Sequence, residues 1–290
     1  MFEFELLPNE MQLEVLKKTE FQTVQRMKRV SKNLKEFILR HNRYMRPIPI
    51  RQMLATSNSV DFALSNSQDV NILDPKDAKH FLHSATIDMF WLEVFDGDLE
   101  PISFANSLLP NTTKINCVKL GGSKMECDPL FLTRFLESKK CRNLIIEWRF
   151  TLPEDFFDKF PLDQLDGLTI GEQPARQIYN NINGSQLLKF KGTWLELGPN
   201  NVDINDISQL LQKWKDYKIK YIKQYNIVVS SDFNMELLSR KMKNMVRHSI
   251  PNTWAVYRED GDGKKEEIQL RYYYSTLFSK LPSIVIKQVN

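Results

Sequence analysis

Residues whose types could support chemistry are few in this chain, and they are widely spaced. His80 and His83 can share one helix face, but no carboxylate or thiol follows at the spacing that a zinc site requires. Asp260-x-Asp262-Gly263 resembles the start of a calcium-binding loop, yet it lacks the later glutamate and the helices on either side. We therefore expect solvated or partly packed imidazoles, a hairpin turn at the two aspartates, and no metal site.

Patterns for phosphate binding and for a nucleophile are also missing. Gly121-Gly122-Ser123-Lys124 lacks the earlier glycine of a phosphate-binding loop, and no Gly-x-Ser-x-Gly turn occurs. Cys127 and Cys141 have no evident histidine partner, so the sequence favours buried and unreactive thiols. We expect neither an enzymatic activity nor a cofactor.

The cysteines and the charge indicate a compartment and a class of partner. With Cys117, the cysteines are an odd number at wide spacings, which favours reduced thiols in the cytoplasm or the nucleus. No apolar run approaches the roughly 18 to 20 residues that span a bilayer, and no signal peptide is read at the start. The net charge of +4 is too mild to argue for nucleic-acid binding by itself.

An amphipathic N-terminal stretch is the first element that can position functional residues. Leu7-Pro8-Asn9 predicts a helix start with Asn9 as the N-cap, and Pro47 and Pro49 close the stretch. About forty residues rarely hold a full core alone, so these helices must pack on the rest of the chain, on another protein, or on both. The apolar residues at helical spacing are Met11, Val15, Leu16, Phe21, Val24, Met27, Val30, Leu34, Phe37 and Ile38.

One pattern in this stretch consists of Leu7-Pro8-Asn9-Glu10, Val15-Leu16 and Val30-Ser31-Lys32. It resembles the F-box family, although Leu34 stands where many members have an aromatic residue, and Glu20-Phe21-Gln22-Thr23 replaces the usual Asp-Leu turn. The resemblance implies a three-helix module that inserts into the Skp-type adaptor of a cullin-based ubiquitin ligase. The residues that it places against the adaptor are Leu7, Pro8, Met11, Leu16, Val30 and Ser31.

From residue 86 onwards, strand-like and helix-like segments alternate. Comparable strand positions lie about 24 to 27 residues apart, inside the period of leucine-rich-type solenoids. The sequence therefore predicts an α/β fold, with a small N-terminal helical F-box module followed by an irregular leucine-rich-repeat-like β/α array. A doubly wound α/β sheet is the rival, but its glycine-rich phosphate turn is missing. The comparable positions are Leu92, Val118, Leu144, Leu168, Trp194 and Tyr221.

The chain is accordingly divided into an F-box helical module at residues 1–50, a connecting region at 51–85 and a partner-binding array at 86–290. Asp203 or Asn205 is predicted to open a helix whose inward residues end at Trp214. This helix, with the strand 220–229 after it, resembles the type-two F-box-associated region of the large nematode F-box families. That resemblance implies a domain that captures a target protein.

Trp91 and Trp148 are the candidate partner-binding residues of the array, because strand tryptophans on an exposed sheet face make good interface anchors. Packing into the core is the alternative for both. The chain is interpreted as a substrate-recognition adaptor of a Skp-cullin-F-box ubiquitin ligase, with an unknown target. Two other hypotheses remain open at this point: an interaction scaffold without a ligase role, and an RNA-binding repeat protein that uses the basic early helices.

Overall fold

A helical N-terminus and a large mixed sheet make up this α/β chain. The helices of the N-terminus lie within residues 4–41, and the strands lie within residues 48–289. The computed structural model describes residues 4–19, 21–41, 48–56, 59–65, 70–73, 82, 85–94, 101–110, 113–122, 129–147, 155–171, 182–198, 202–242, 244–259, 263–274 and 281–289.

A 3-10 turn, Phe4–Leu6, opens the N-terminus, and three helices follow it: α1 (Asn9–Lys18), α2 (Phe21–Met27) and α3 (Lys32–His41). Helix α1 begins at Asn9 itself, because Pro8 occupies the N-cap position with an extended ψ of 145°. The prediction that Asn9 caps this helix is therefore wrong by one position. Pro8 supplies no side-chain acceptor, so other groups must hold the start of α1.

These three helices have a small core of their own. Leu16, Val24, Leu34 and Ile38 are buried in it. Partly buried Phe4, Met27 and Phe37 pack around them. Among the described residues, every member of this core lies within residues 4–38, whereas the core of the sheet begins at Ile50. Residues 4–41 are termed the N-terminal module below.

The described strands form one 13-stranded sheet. Its order is β10-β11-β12-β13-β9-β8-β7-β6-β5-β4-β1-β2-β3. Strand β1 and strands β4 to β9 are parallel, and both ends of the sheet are antiparallel. The strands are β1 (Ile48–Ala55), β2 (Val60–Leu64), β3 (Val70–Leu73), β4 (Ala85–Val94), β5 (Lys114–Gly122), β6 (Asn143–Ile146), β7 (Gly167–Ile170), β8 (Trp194–Leu197), β9 (Gln224–Val228), β10 (Met245–Arg247), β11 (Thr253–Glu259), β12 (Lys265–Tyr274) and β13 (Pro282–Val289).

Matching positions of β4 to β9 form continuous buried rows. One row is Leu92, Leu120, Ile146, Ile170, Leu197 and Ile227. A second row is Phe90, Val118, Leu144, Leu168, Leu195 and Tyr225. Of the positions predicted to be comparable, Val118, Leu144 and Leu168 share the second row. Trp194 does not belong to it, because the residue of β8 in that row is Leu195. Tyr221 lies before β9, so it is not equivalent to the others.

Helices pack on the face of the sheet that carries these rows. Phe90 packs against Phe135 with ring centroids 6.2 Å apart, and Tyr225 packs against Phe190 at 5.8 Å. No helix in the described part of the chain is long and apolar enough to cross a membrane. The helices after the N-terminal module are α4 (Pro101–Leu108), α5 (Pro129–Lys139), α6 (Phe156–Lys159), α7 (Gly184–Leu187), α8 (Ile204–Lys215) and α9 (Met235–Lys241).

Residues 51–85 do more than connect two parts of the chain. Strand β1 pairs in parallel with β4 from Ile48 to Ala55, and β2 and β3 extend the sheet beyond it. Pro49 lies inside β1, where its carbonyl accepts the Ser65 N–H at 3.0 Å. The sheet therefore begins at residue 48, earlier than the predicted boundary of the array at residue 86.

Candidate functional site

The start of α1 is held by Gln12, a buried polar residue one turn into the helix. Its side-chain amide donates to the Leu7 carbonyl at 2.7 Å and to the Glu5 carbonyl at 3.3 Å. The Leu7 N–H in turn donates to the Phe4 carbonyl at 3.2 Å. Gln12 thus fixes the 3-10 turn against α1 in place of an N-cap side chain. Sequence reasoning missed this residue, because a glutamine at that position carries no signal of burial.

Ser31 links the same turn to α3. Its Oγ accepts the Leu34 N–H at 3.1 Å, which makes Ser31 the N-cap of α3. The Ser31 hydroxyl also donates to the Glu5 carboxylate, 26 residues earlier in the chain. The Val-Ser-Lys step of the sequence pattern is therefore a helix start whose serine is bonded across the module.

Large apolar side chains remain exposed around this turn. Leu6 is 77% exposed, Val30 is 75% exposed and Met11 is 54% exposed. Because Glu5 and Ser31 are hydrogen-bonded, their neighbours Leu6 and Val30 lie at the same end of the module. Exposed large apolar side chains on a small module are typical of a protein-protein contact. Those of the N-terminal module are Leu6, Met11, Val15, Val30 and Leu39.

The six residues predicted to face an adaptor separate into three groups by their burial. Pro8, Met11 and Val30 are exposed, and Leu7 and Ser31 are half-buried. Leu16 has no exposed surface and lies in the core of the module with Ile38. The expectation that Leu16 contacts an adaptor directly is therefore corrected: its side chain packs the three helices together.

Comparison with known families identifies the module. Residues 4–46 match the F-box domain. An F-box domain implies binding to a Skp-type adaptor, and it suggests in general an adaptor subunit of a Skp-cullin-F-box ubiquitin ligase. No curated protein and no solved structure matches the chain.

A second candidate surface is the face of the sheet opposite the buried rows. Its central row is Trp91, Lys119, Ile145, Thr169, Glu196 and Asn226. Thr169 in this row is buried, and the other five side chains are half-buried. The Lys119 ammonium lies 4.3 Å from the Trp91 ring centroid and 3.0 Å from a Glu147 carboxylate oxygen. Both charged side chains are mostly shielded, at 14% and 12% exposure, which strengthens the contact between the ammonium and the ring.

Gly121 allows that arrangement to form. A Cβ at this position would lie 2.6 Å from a Glu147 carboxylate oxygen and 2.8 Å from Trp91 Nε1. The buried Trp91 N–H has no acceptor among the described residues. Trp91 is half-buried beside an ion pair, so only part of its ring can meet a partner. Trp148, the other predicted anchor, lies outside the described residues, as do His80, His83, Cys127, Asp260 and Asp262.

Two features of the described residues bear on metal binding and on nucleophilic chemistry. Within them, no cluster of three or more His, Cys, Asp and Glu side chains is close enough to hold a metal ion. Burial raises the pKa of the Cys141 thiol to about 11. This thiol donates to the Asn143 carbonyl at 3.3 Å and remains neutral at physiological pH, so it is a poor nucleophile.

Proposed function

We propose that this protein is a substrate-recognition subunit of a Skp-cullin-F-box ubiquitin ligase. The N-terminal module binds the Skp-type adaptor and, through it, a cullin, and the sheet captures a target protein. The exposure of Leu6, Met11 and Val30 on a module that matches the F-box domain carries the proposal. The proposal includes no catalysis by the chain itself, no cofactor, and a cytoplasmic or nuclear location.

The size of the module supports an external partner for its apolar surface. Among its residues with described burial, four apolar side chains are buried in the core, which is a small number for three helices. Burying the three most exposed apolar side chains would contribute on the order of 1.5–3 kcal/mol each. An adaptor that covers this surface therefore stabilises the module as it binds.

The sheet supports the target-capture role through its architecture. We interpret β4 to β9 and their helices as a leucine-rich-repeat-like array, because consecutive strands are parallel neighbours and their buried positions form rows. Such arrays bind partners on an extended concave surface, and we place the target on the sheet face opposite the buried rows. Trp91 on that face, with Trp148, is the proposed partner anchor.

Adaptor binding can be tested with the full chain and a purified Skp-type adaptor. Met11→Ala with Val30→Ala removes apolar surface without touching the buried core, so we expect the dissociation constant to rise at least about tenfold. Leu130→Ala is the matched control, because Leu130 on α5 is 55% exposed and Met11 is 54% exposed. Equal binding by the double variant and the control would refute the docking surface.

The scaffold hypothesis makes a different prediction for cells. A ligase subunit needs both surfaces, so the Met11→Ala/Val30→Ala variant and a Trp91→Ala variant should each reduce ubiquitin conjugates on co-purified proteins. If the scaffold alternative holds, the conjugates stay at the wild-type level in both variants, whatever proteins are bound.

A further inference from the structure

We propose that Ser31 is a phosphate-acceptor site, and that its phosphorylation releases the N-terminal 3-10 turn from α3. The consequence for adaptor binding rests on the proposed function. The release itself concerns only the N-terminal module and can be measured without an adaptor.

The Ser31 hydroxyl has two hydrogen bonds with opposite roles. As an acceptor it caps α3 through the Leu34 N–H at 3.1 Å. As a donor it holds the Glu5 carboxylate, which belongs to the 3-10 turn. The side chain is partly exposed, and the bond to Glu5 lies at the surface of the module. A modifying enzyme can therefore reach the oxygen once the Glu5 contact opens.

The surrounding sequence suits a serine/threonine protein kinase that selects basic substrates. Arg26, Lys28 and Arg29 precede Ser31, and Lys32 and Lys35 follow it. Arg26, Arg29 and Lys32 are exposed, so they can complement an acidic substrate groove. In the reaction, Ser31 Oγ forms a bond to the γ-phosphorus of ATP and the bond to the β–γ bridging oxygen breaks. ADP leaves, and the hydroxyl proton passes to the catalytic base of the kinase.

Phosphorylation would change the two hydrogen bonds in different ways. A phosphate oxygen can still accept the Leu34 N–H, and the positive end of the α3 dipole favours its charge. The hydroxyl hydrogen that bound Glu5 is lost, however, so the carboxylate then faces a second anion. Modification therefore keeps α3 capped and repels the 3-10 turn.

Nearby lysines offer the phosphate a different partner. Burial, together with the charge of Lys35, lowers the pKa of Lys28. Lys35 lies one turn into α3, where its N–H donates to the Ser31 carbonyl at 3.1 Å. A phosphate on Ser31 would be attracted by the positive charge of these lysines and repelled by the Glu5 carboxylate.

Movement of Glu5 would disturb the adaptor-binding end of the module. The Glu5 and Leu7 carbonyls share the Gln12 amide as their donor, at 3.3 and 2.7 Å. Leu6 lies between them with 77% of its surface exposed. Displacing the turn therefore changes the position of Leu6 relative to Val30.

The test uses the full chain and separates charge from helix capping. Ser31→Asp retains the capping oxygen but adds a negative charge opposite Glu5. Ser31→Asn supplies a capping oxygen and an uncharged donor, and it is the reference for this position. In hydrogen–deuterium exchange, we expect amides of residues 4–12 to exchange about tenfold faster in Ser31→Asp than in Ser31→Asn. Adding Glu5→Gln to Ser31→Asp should remove most of that difference, because the glutamine side chain is uncharged.

Two outcomes would overturn the inference. The first is equal amide exchange of residues 4–12 in Ser31→Asp and Ser31→Asn. The second is that a protein kinase selective for basic substrates, supplied with ATP, does not phosphorylate Ser31 of the full chain. Adaptor binding is measured on the same variants, and we expect Ser31→Asp to bind about tenfold more weakly than Ser31→Asp/Glu5→Gln. If wild-type protein binds no Skp-type adaptor, the proposed function fails, while the exchange experiment still decides the release of the turn.

Discussion

Leu16 and Met11 lie on the same helix but have opposite environments. Leu16 is fully buried among the helices of the module, and Met11 is 54% exposed. The sequence pattern assigned both to the adaptor contact, because a motif records which residues recur and not whether each packs inward or outward. Their roles can be separated by substitution.

We predict that Leu16→Ala destabilises the module by roughly 3 kcal/mol, since it removes a fully buried leucine from a core of four residues. Met11→Ala should leave the module folded and weaken only adaptor binding. Hydrogen–deuterium exchange of α1 to α3 in the full chain reports the first effect, and titration with the adaptor reports the second. Equal amide protection in the two variants would contradict this assignment.

Arg258 is a residue that no sequence pattern identified. Its guanidinium donates to the carbonyls of Trp214, Ile219 and Lys220 at 2.6, 3.0 and 2.6 Å. It also bonds the Glu266 carboxylate at 2.5 Å, and its side chain is only 4% exposed. Through these bonds one buried cation closes the C-terminal end of α8 against β11 and β12.

We predict that Arg258→Lys lowers the free energy of unfolding by about 3 kcal/mol or more, because a point charge cannot replace the planar donors. Lys265→Ala is the control, since its ion pair with Glu259 spans 3.8 Å and both side chains are more than half exposed. That substitution should cost less than about 1 kcal/mol. Chemical denaturation of the full chain measures the free energy of unfolding of both variants. Similar losses of stability would show that the buried hydrogen bonds of Arg258 do not stabilise the fold.

Among the elements, α8 shows the clearest agreement between sequence and structure. Asp203 was predicted as one of two possible starts, and its carboxylate accepts the N–H groups of Asn205 and Asp206 at 2.7 and 2.9 Å. Asp206 accepts the Asp203 N–H at 2.9 Å, which completes a capping box. Hydrogen bonds from these backbone groups lower the pKa of Asp203.

We predict that Asp203→Ala destabilises the chain by about 1 kcal/mol, whereas Asp203→Asn costs only a few tenths. The reason is that asparagine keeps the oxygen that accepts both N–H groups. Thermal unfolding at neutral pH compares the two variants. An asparagine variant that is as unstable as the alanine variant would assign the effect to charge and not to the cap.

Gly184, at the start of α7, allows close packing against α8, and its position in the sequence does not indicate this role. A Cβ on Gly184 would lie 1.6 Å from an Asp206 carboxylate oxygen, so α7 and α8 approach closely only because this residue lacks a side chain. The sequence predicted alternating strands and helices, but a close contact between two consecutive helices depends on three-dimensional packing. It could not be read from one sequence.

For the whole molecule, the boundary between module and sheet lies at β1. We predict that a chain starting at Ile48 folds, because the core of the N-terminal module contains only its own residues. A chain starting at Thr56 lacks β1, so it loses the pairing of β4 on that side and separates β2 and β3 from the sheet. Circular dichroism and denaturant titration compare the two chains. Equal stability would show that β1 is dispensable.

The sequence predicts local features of this molecule, such as helix starts and strands, better than contacts between elements. Alternation of apolar residues placed strands near Leu144 and Leu168, and helix starts were read from proline and aspartate positions. Strand β1 was missed because Pro49 was read as a terminator, yet proline is tolerated where its missing N–H is not needed. In the N-terminal module, the apolar side chains left exposed are those that do not fill the core. Which residues fill the core depends on how the helices pack.

The pairing of β9 with β13 has a consequence for synthesis of the chain. Strand β9 ends at Val228, but its second neighbour is the last described strand, Pro282–Val289. On the ribosome, that edge of the growing sheet stays unpaired until β13 has been synthesised. A nonsense codon shortly before Pro282 would remove β13 and leave β9 with an unpaired edge in the middle of the sheet, which would expose the truncated chain to quality-control proteases.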